Sequence, residues 1–335
     1  MNVRIVGVAG SIPDCVMTSK EVVQQVKQLS PIRLPLPNNL LEMMTGIKQR
    51  HFITDDVQAS DLAVDAACRV LAQTNTPLHE IDLIVWASAS QDVAEPATAH
   101  IVQSKLGINV AVMDVKNACN SFINGMQVAE ALLKSGQYRK ALVVNGETPS
   151  RFIRWDMQNR EALLEHMAGF TFGDAGAAML LEATEQDTGI FYRKFQSLSQ
   201  YWDIGGVFGG GSMHARDLEY SYFRGKGEKL NEVFDLVGPD MLFDAFEATG
   251  LTADDFSRVL VHQVTMNYLK IFLQKTGIAR EKVVLTLPEY GNMAAASMPV
   301  GFSLAVERGE IQRGDKVLML GIAGGLSLGI VMLEY

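Results

Sequence analysis

The chain has 335 residues, 48% hydrophobic and 20% charged, with 38 acidic against 29 basic side chains and a formal charge of −9. So much apolar material supports a packed core and excludes a disordered chain, at a length that suits about two domains. An acidic chain without a basic run is no nucleic-acid or anionic-lipid clamp, and no run of eighteen apolar residues offers a membrane span.

In chain order, strands are expected at Val3–Val8, Leu83–Ala87, Ala111–Val115, Ala141–Val144, Val259–Val261 and Val317–Leu320. Helix-period stretches fall between them at Ser60–Gln73, Phe122–Lys134, Leu242–Ala248 and Phe302–Arg308. Such alternation predicts an α/β protein with helices layered on sheets. The opening MNVRIVGVAGSIPD reads as a strand and a turn without a signal core. Three cysteines, Cys15, Cys68 and Cys119, make no disulfide framework, and a reducing cytoplasm is the expected setting.

A long-period repeat organises the chain. LHEIDLIVWA, ending at Ala87, resembles ADDFSRVLVH, which ends half a chain further on at His262. The spacing from Cys119 to Gly136 equals that from Asn292 to Gly309, and these two segments are offset by nearly the same half-chain period. An apolar strand follows each. The pattern predicts a duplicated fold with halves 1–185 and 186–335, whose equivalent points, Cys119 on one side and His262 and Asn292 on the other, can converge on one cleft. Residues 197–229, rich in Gly, Ser, aromatics and charge, have neither period and read as a structureless functional loop.

Cys119 follows a strand and opens a helix near Asn120, where unpaired N–H groups and the helix dipole would favour thiolate and could also hold an oxyanion. Cys68, placed on the apolar face of the Ser60–Gln73 helix, reads as inert, as does Cys15. His262 ends an apolar strand, where side chains of α/β sheets face ligands, although a hydrogen-bonded core histidine would sit there too. Asn292, after Gly291, has the look of a helix N-cap. Gly324 and Gly325 lie between two apolar strands, as a tight hairpin or as a backbone oxyanion donor. GGVFGGGS at 205–212 has no flanking strand and helix and no Walker lysine, so a phosphate cradle is not expected. The histidines at 51, 79, 100, 166 and 214 show no metal-ligand spacing, and no metal or nucleotide cofactor is expected.

NAC at Asn117–Cys119, HQV at His262–Val264 and GNMAAAS at Gly291–Ser297 resemble the three active-site signatures of the β-ketoacyl-ACP synthase III group of the thiolase superfamily. TGIKQRH (Thr45–His51), FGDAGAAML (Phe172–Leu180) and IAGGLSLG (Ile322–Gly329) extend that resemblance over most of the chain. It implies a thiolase fold, a duplicated five-layer αβαβα sandwich, in a cofactor-free homodimer that condenses thioesters. By resemblance, Cys119 is the acylated nucleophile, His262 and Asn292 stabilise the enolate of the second substrate, and the amides of Cys119 and Gly325 form the oxyanion hole. The substrates implied are an acyl-CoA and a second acyl or malonyl thioester, with acyl carrier protein as another possible carrier.

Three positions depart from the housekeeping pattern. Leu40 stands about where a tryptophan would clamp adenine, and Asn267 where an arginine would dock acyl carrier protein. Glu95 replaces an aromatic residue before Pro96, and there resembles OleA-type enzymes, which join two fatty acyl thioesters head to head. In that group this glutamate reaches across the dimer as the proposed carbanion-forming base. DDVQASD (Asp55–Asp61) and FINGM (Phe122–Met126) also resemble that group. Open readings are therefore decarboxylative extension, OleA-like joining of two acyl-CoAs, acyl transfer to an amine or hydroxyl, and a non-catalytic thiolase-fold subunit.

Overall fold

The structure is a computed structural model describing residues 1–33, 35–226 and 238–335. The first half contributes strands β1 (Asn2–Ser11), β2 (Leu83–Ala87), β3 (Ala111–Val115), β4 (Lys140–Glu147) and β5 (Ala175–Thr184) to a five-stranded sheet of order β3-β2-β4-β5-β1. The second contributes β6 (Ile190–Ser197), β7 (Arg258–Val261), β8 (Lys316–Ala323) and β9 (Ser327–Glu334), in the order β7-β8-β9-β6.

The two sheets repeat one topology. β2 runs parallel to β4, and β7 parallel to β8. β5 is antiparallel to β4 and β1, as β9 is to β8 and β6. Where β3 flanks β2, the second half has, among the described residues, a bridge in place of a strand, Val284 N–H donating to Val259 O at 3.1 Å. The sheets divide the chain between Thr184 and Ile190.

Five layers follow from which faces are apolar. β2 is buried throughout because both of its faces are covered. Leu83, Val85 and Ala87 point inward while Ile84 and Trp86 point outward, onto α1 (Ala59–Gln73) and α2 (Thr98–Leu106). The inner faces of both sheets enclose α3 (Ser121–Lys134) and α6 (Ser297–Glu307) in one core, with Phe122, Met126, Phe302 and Ala305 fully buried. Each such phenylalanine contributes about 1.5–3 kcal/mol by leaving water. On the outer face of the second sheet, α4 (Asp240–Thr249) and α5 (Met266–Thr276) bury Leu242 and Leu269 against Val259, Leu318 and Met332. This is the expected duplicated αβαβα sandwich.

The halves are also joined across the centre. Asn120 Nδ2 donates to both the carbonyl and the hydroxyl of Ser327, each at 2.9 Å. Gly321 makes room for that amide, since a Cβ there would lie 2.0 Å from Asn120 Oδ1.

Two sequence expectations fail here. Cys68 is exposed: the buried face of α1 runs through Leu62, Ala63, Ala66, Ala67 and Val70, and residue 68 turns away from it. Residues 197–226 are not structureless; they hold two 3-10 turns and a small ladder pairing Gly205–Gly206 with Arg224–Gly225. Residues 227–229 of that segment lie outside the described residues. Two arginines fasten it to the first half. Arg224 pairs with Glu165 at 2.9 Å and Glu219 at 2.8 Å, and Arg154 also pairs with Glu219. His166 Nδ1 lies 2.7 Å from Phe223 O.

Candidate active site

A cavity of about 650 Å³ lies where the two sheets and residues 202–223 meet, and Cys119, His262, Asn292 and Gly325 all line it. The repeat thus brings together four of the five predicted site residues. Glu95 is exposed and is not among the lining residues, although its neighbour Ala94 is.

Local geometry places each group. The turn from β3 into α3 passes through Ala118 at φ +46°, a left-handed conformation that non-glycine residues rarely take, and so presents Cys119 ahead of the helix. Apart from the contact of Cys119 N–H with its own sulfur, neither Cys119 N–H nor Gly325 N–H has a hydrogen-bond acceptor among the described residues. Gly325, at φ +98°, sits in the loop between β8 and β9, whose ladder closes at Ala323 and Ser327. The hairpin and the free amide, posed as alternatives by the sequence, coexist.

His262 prolongs the ladder of β7, its N–H donating to Leu320 O at 3.0 Å, and it shares the inward parity of Leu260. Burial pushes its imidazole down to about 4, so the ring is neutral. Nδ1 is buried without a partner. A bare ring nitrogen is cheaper to leave unpaired there than an N–H, which puts the proton on Nε2, the nitrogen left to serve the cavity as a donor.

Asn292 departs from the expected N-cap role. Its Oδ1 accepts from Ala294 N–H at 3.1 Å in a local turn, a 3-10 turn follows at Ala294–Ala296, and α6 starts only at Ser297. The backbone is held by the first half: Asn292 N–H donates to Thr171 O at 2.8 Å, and Gly173 N–H donates to Asn292 O at 3.1 Å. Fixing Oδ1 leaves Nδ2, which has no acceptor among the described residues, as the cavity donor.

The thiol differs most from expectation. Burial, with a further contribution from the Glu147 carboxyl, pushes Cys119 up to about 12. Both shifts favour a neutral thiol beside a neutral imidazole over a thiolate–imidazolium pair. The dipole of α3 does not outweigh lost hydration. Glu147, which sequence reasoning missed, lines the same cavity at the end of β4. Its oxygens accept from Ser88 Oγ (2.9 Å), Ala89 N–H (2.7 Å), Ser90 N–H (3.1 Å) and Ser90 Oγ (2.8 Å), while desolvation raises its pKa. Its one signal was position, a carboxylate closing a buried strand in NGET.

Also missed were the aromatic walls. Phe223 stacks edge-on to Phe172 with centroids 4.9 Å apart, and Trp202 meets Phe208 at 6.0 Å. The glycine-rich segment, unsuited to cradle a phosphate, forms part of the same wall from Gly205 to Gly210. A second, smaller apolar cavity, about 130 Å³, lies between α4, α5 and the second sheet and shares His262, Val264, Tyr268 and Ile322 with the first. Among the described residues no cluster of three or more His, Cys, Asp or Glu could hold a metal, and no helix is long and apolar enough to cross a membrane.

Comparison with known proteins agrees with this geometry. Residues 113–198 match the family described as 3-oxoacyl-[acyl-carrier-protein] synthase III, and residues 246–335 match its C-terminal part. The chain is 33% identical over 300 residues to a β-ketoacyl-[acyl-carrier-protein] synthase III of Neisseria gonorrhoeae, covering 87% of this chain and 88% of the relative. A relative of the same description from Chelativorans sp. is 32% identical over 335 residues, covering 98% of each. The chain belongs to the β-ketoacyl-ACP synthase III family. Among solved structures it resembles OleA of Xanthomonas campestris with bound lauric acid and lauroyl-CoA, at TM-score 0.89 and 28% identity over 100% of this chain and 99% of that one. It also resembles 3-oxoacyl-[acyl-carrier-protein] synthase III of Aquifex aeolicus, at TM-score 0.83 and 26% identity over 99% and 100%. The fold is the thiolase fold, and the protein is a thioester Claisen-condensing acyltransferase.

Proposed function

We propose that Cys119 takes an acyl group from a CoA thioester and that a second thioester, activated as its enolate, displaces it to give a β-ketoacyl product. The observation that carries this reading is one cavity lined by a thiol from the first half and two neutral hydrogen-bond donors from the second. In the first step Cys119 Sγ attacks the acyl carbonyl as its proton leaves for the departing thiolate, and the free amides of Cys119 and Gly325 hold the oxyanion. In the second, His262 Nε2–H and Asn292 Nδ2–H hold the enolate oxygen. A neutral imidazole suits that role, because it donates without titrating near pH 7. The residues need no prosthetic group for these steps, and the halves 1–185 and 186–335 supply nucleophile and enolate donors respectively.

Incubation with dodecanoyl-CoA followed by intact-protein mass measurement tests the first step. A single acyl adduct is expected, absent in Cys119→Ala; no adduct on the unmodified chain with any acyl-CoA from two to sixteen carbons would refute the reading.

A second reading, OleA-like joining of two acyl-CoAs, is favoured by the apolar space beside the main cavity, which gives a second chain somewhere to lie. It needs a base, and Glu95 is our candidate. The loop bearing Glu95 is tied to β3, since Asp114 accepts from Thr98 N–H at 2.8 Å and Ala99 N–H at 2.9 Å. β3 is a half-exposed edge strand, and pairing two such edges in a homodimer would bring Glu95 towards a partner's cavity. Ketone-forming product made without any malonyl thioester, and lost in Glu95→Gln, separates this reading from decarboxylative extension. A cytoplasmic homodimer working on acyl-CoA or acyl-carrier thioesters fits either version.

A further inference from the structure

His262 and Asn292 reach the cavity on separate pieces of chain. His262 directly follows β7, whereas Asn292 follows a segment that leaves the edge of the second sheet at Val284 and turns through the short helix Leu287–Tyr290. Two enolate donors share one oxygen only if these pieces keep a fixed separation. The side chain next to His262 spans the gap. Gln263 is buried; its Nε2 donates to Val284 O at 2.8 Å, and its Oε1 accepts from Thr286 N–H and Leu287 N–H, both at 3.2 Å. A longer contact from Nε2 to its own strand, Val261 O at 3.4 Å, completes the set. One carboxamide thus pairs one carbonyl and two amides of the Asn292 segment with the residue beside the histidine. Without that carboxamide those three backbone groups would lose these partners.

We propose that Gln263 is a positioning residue: its carboxamide sets the distance between the imidazole of His262 and the carboxamide of Asn292, and so the geometry of the enolate site. This rests on the condensing role given to that pair above. Cys119 is held by different contacts in the other half, so the proposal separates the two half-reactions. Misplacing a donor by about 1 Å costs on the order of a hundredfold in rate.

The test uses the full-length chain, dodecanoyl-CoA as acyl donor, and malonyl-CoA or a second dodecanoyl-CoA as acceptor. In Gln263→Leu, condensation kcat should fall about a hundredfold with KM little changed, while formation of the Cys119 adduct stays within about threefold of wild type. Gln263→Glu keeps the acceptor for Thr286 and Leu287 but can donate to Val284 O only when its carboxyl is protonated. Its condensation rate should approach wild type at low pH and fall as pH rises, a profile the unmodified chain does not share. Equal loss of both half-reactions in Gln263→Leu would overturn the proposal, as would undiminished condensation. Should Gln263→Leu not fold, a flat wild-type profile in Gln263→Glu would overturn it too. Failure of the unmodified chain to condense at all would instead refute the proposed function, which keeps the two failures distinct.

Discussion

The two halves of the chain hold corresponding points by different means. β2 ends at Ala87 and His262 directly follows β7, and the next residues are Ser88 and Gln263. Ser88 Oγ bonds to Gly146 O at 2.7 Å and to Glu147, tying its strand end to the neighbouring strand of the same sheet. Gln263 instead reaches off the sheet to the segment leading to Asn292. Before the functional residue the chain takes a positive φ in both halves, through Ala118 at +46° and Gly291 at +69°. Corresponding strand ends are thus fixed to the buried Glu147 carboxyl in one half and to a neutral amide in the other. The first half accordingly holds a thiol that resists ionisation, and the second holds donors that carry no charge.

That contrast can be broken at three places. The largest effect is expected in Asn292→Ala, which removes a proposed enolate donor of the second half. Condensation should drop by about 10²–10³ while the Cys119 adduct still forms. Loss of adduct formation as well would mean that the halves do not divide the steps.

A smaller, signed effect concerns the first half. With its thiol pushed up to about 12, Cys119 is almost wholly protonated at neutral pH, and its thiolate fraction grows as pH rises. Alkylation of the Cys119 peptide by iodoacetamide, read by mass spectrometry apart from exposed Cys15 and Cys68, should climb about tenfold per pH unit from 7 to 10. Because the Glu147 charge adds to that rise, Glu147→Gln should alkylate several-fold faster at any one pH in this window. Slower or pH-independent alkylation would remove Glu147 from the account.

The least expected change is at the strap on the aromatic wall. Arg224 and Glu219 are partly solvated, so Glu219→Gln should cost under about 1 kcal/mol of stability. Its signature is selectivity: loosening Phe223 should shift the preferred acyl length, measured by competing C8 to C16 thioesters. An unchanged profile would show that the wall is set by Phe172 and the core instead.

Much of the architecture was legible in the sequence. The near-equal offsets from Ala87 to His262 and from Cys119 to Asn292 anticipated two sheets of one topology, because duplicated elements keep their spacing even where side chains diverge. Cys119, His262, Asn292 and Gly325 were legible because each sits at a strand or helix end, where the pattern breaks. What escaped depended on solvent exclusion and distant pairing. The protonation of Cys119 is decided by burial and by Glu147 at the end of another strand, not by the helix start beside it. Cys68 shows the limit of a generic apolar face, since one position along a helix rotates a side chain by about 100°. Gln263 stood within a quoted motif, but its partners at Val284, Thr286 and Leu287 become visible only when the segments are side by side.

The two middle helices lie between sheets that belong to different halves. Phe302 and Met298 of α6, and Phe122 and Ile123 of α3, share one core with residues of both sheets. Severing the backbone between Thr184 and Ile190 and supplying either fragment alone would leave such a helix with one apolar side facing water. The fragments are then expected to be sticky and inactive singly, and to regain acyl transfer only by re-pairing, because each half completes the other's core.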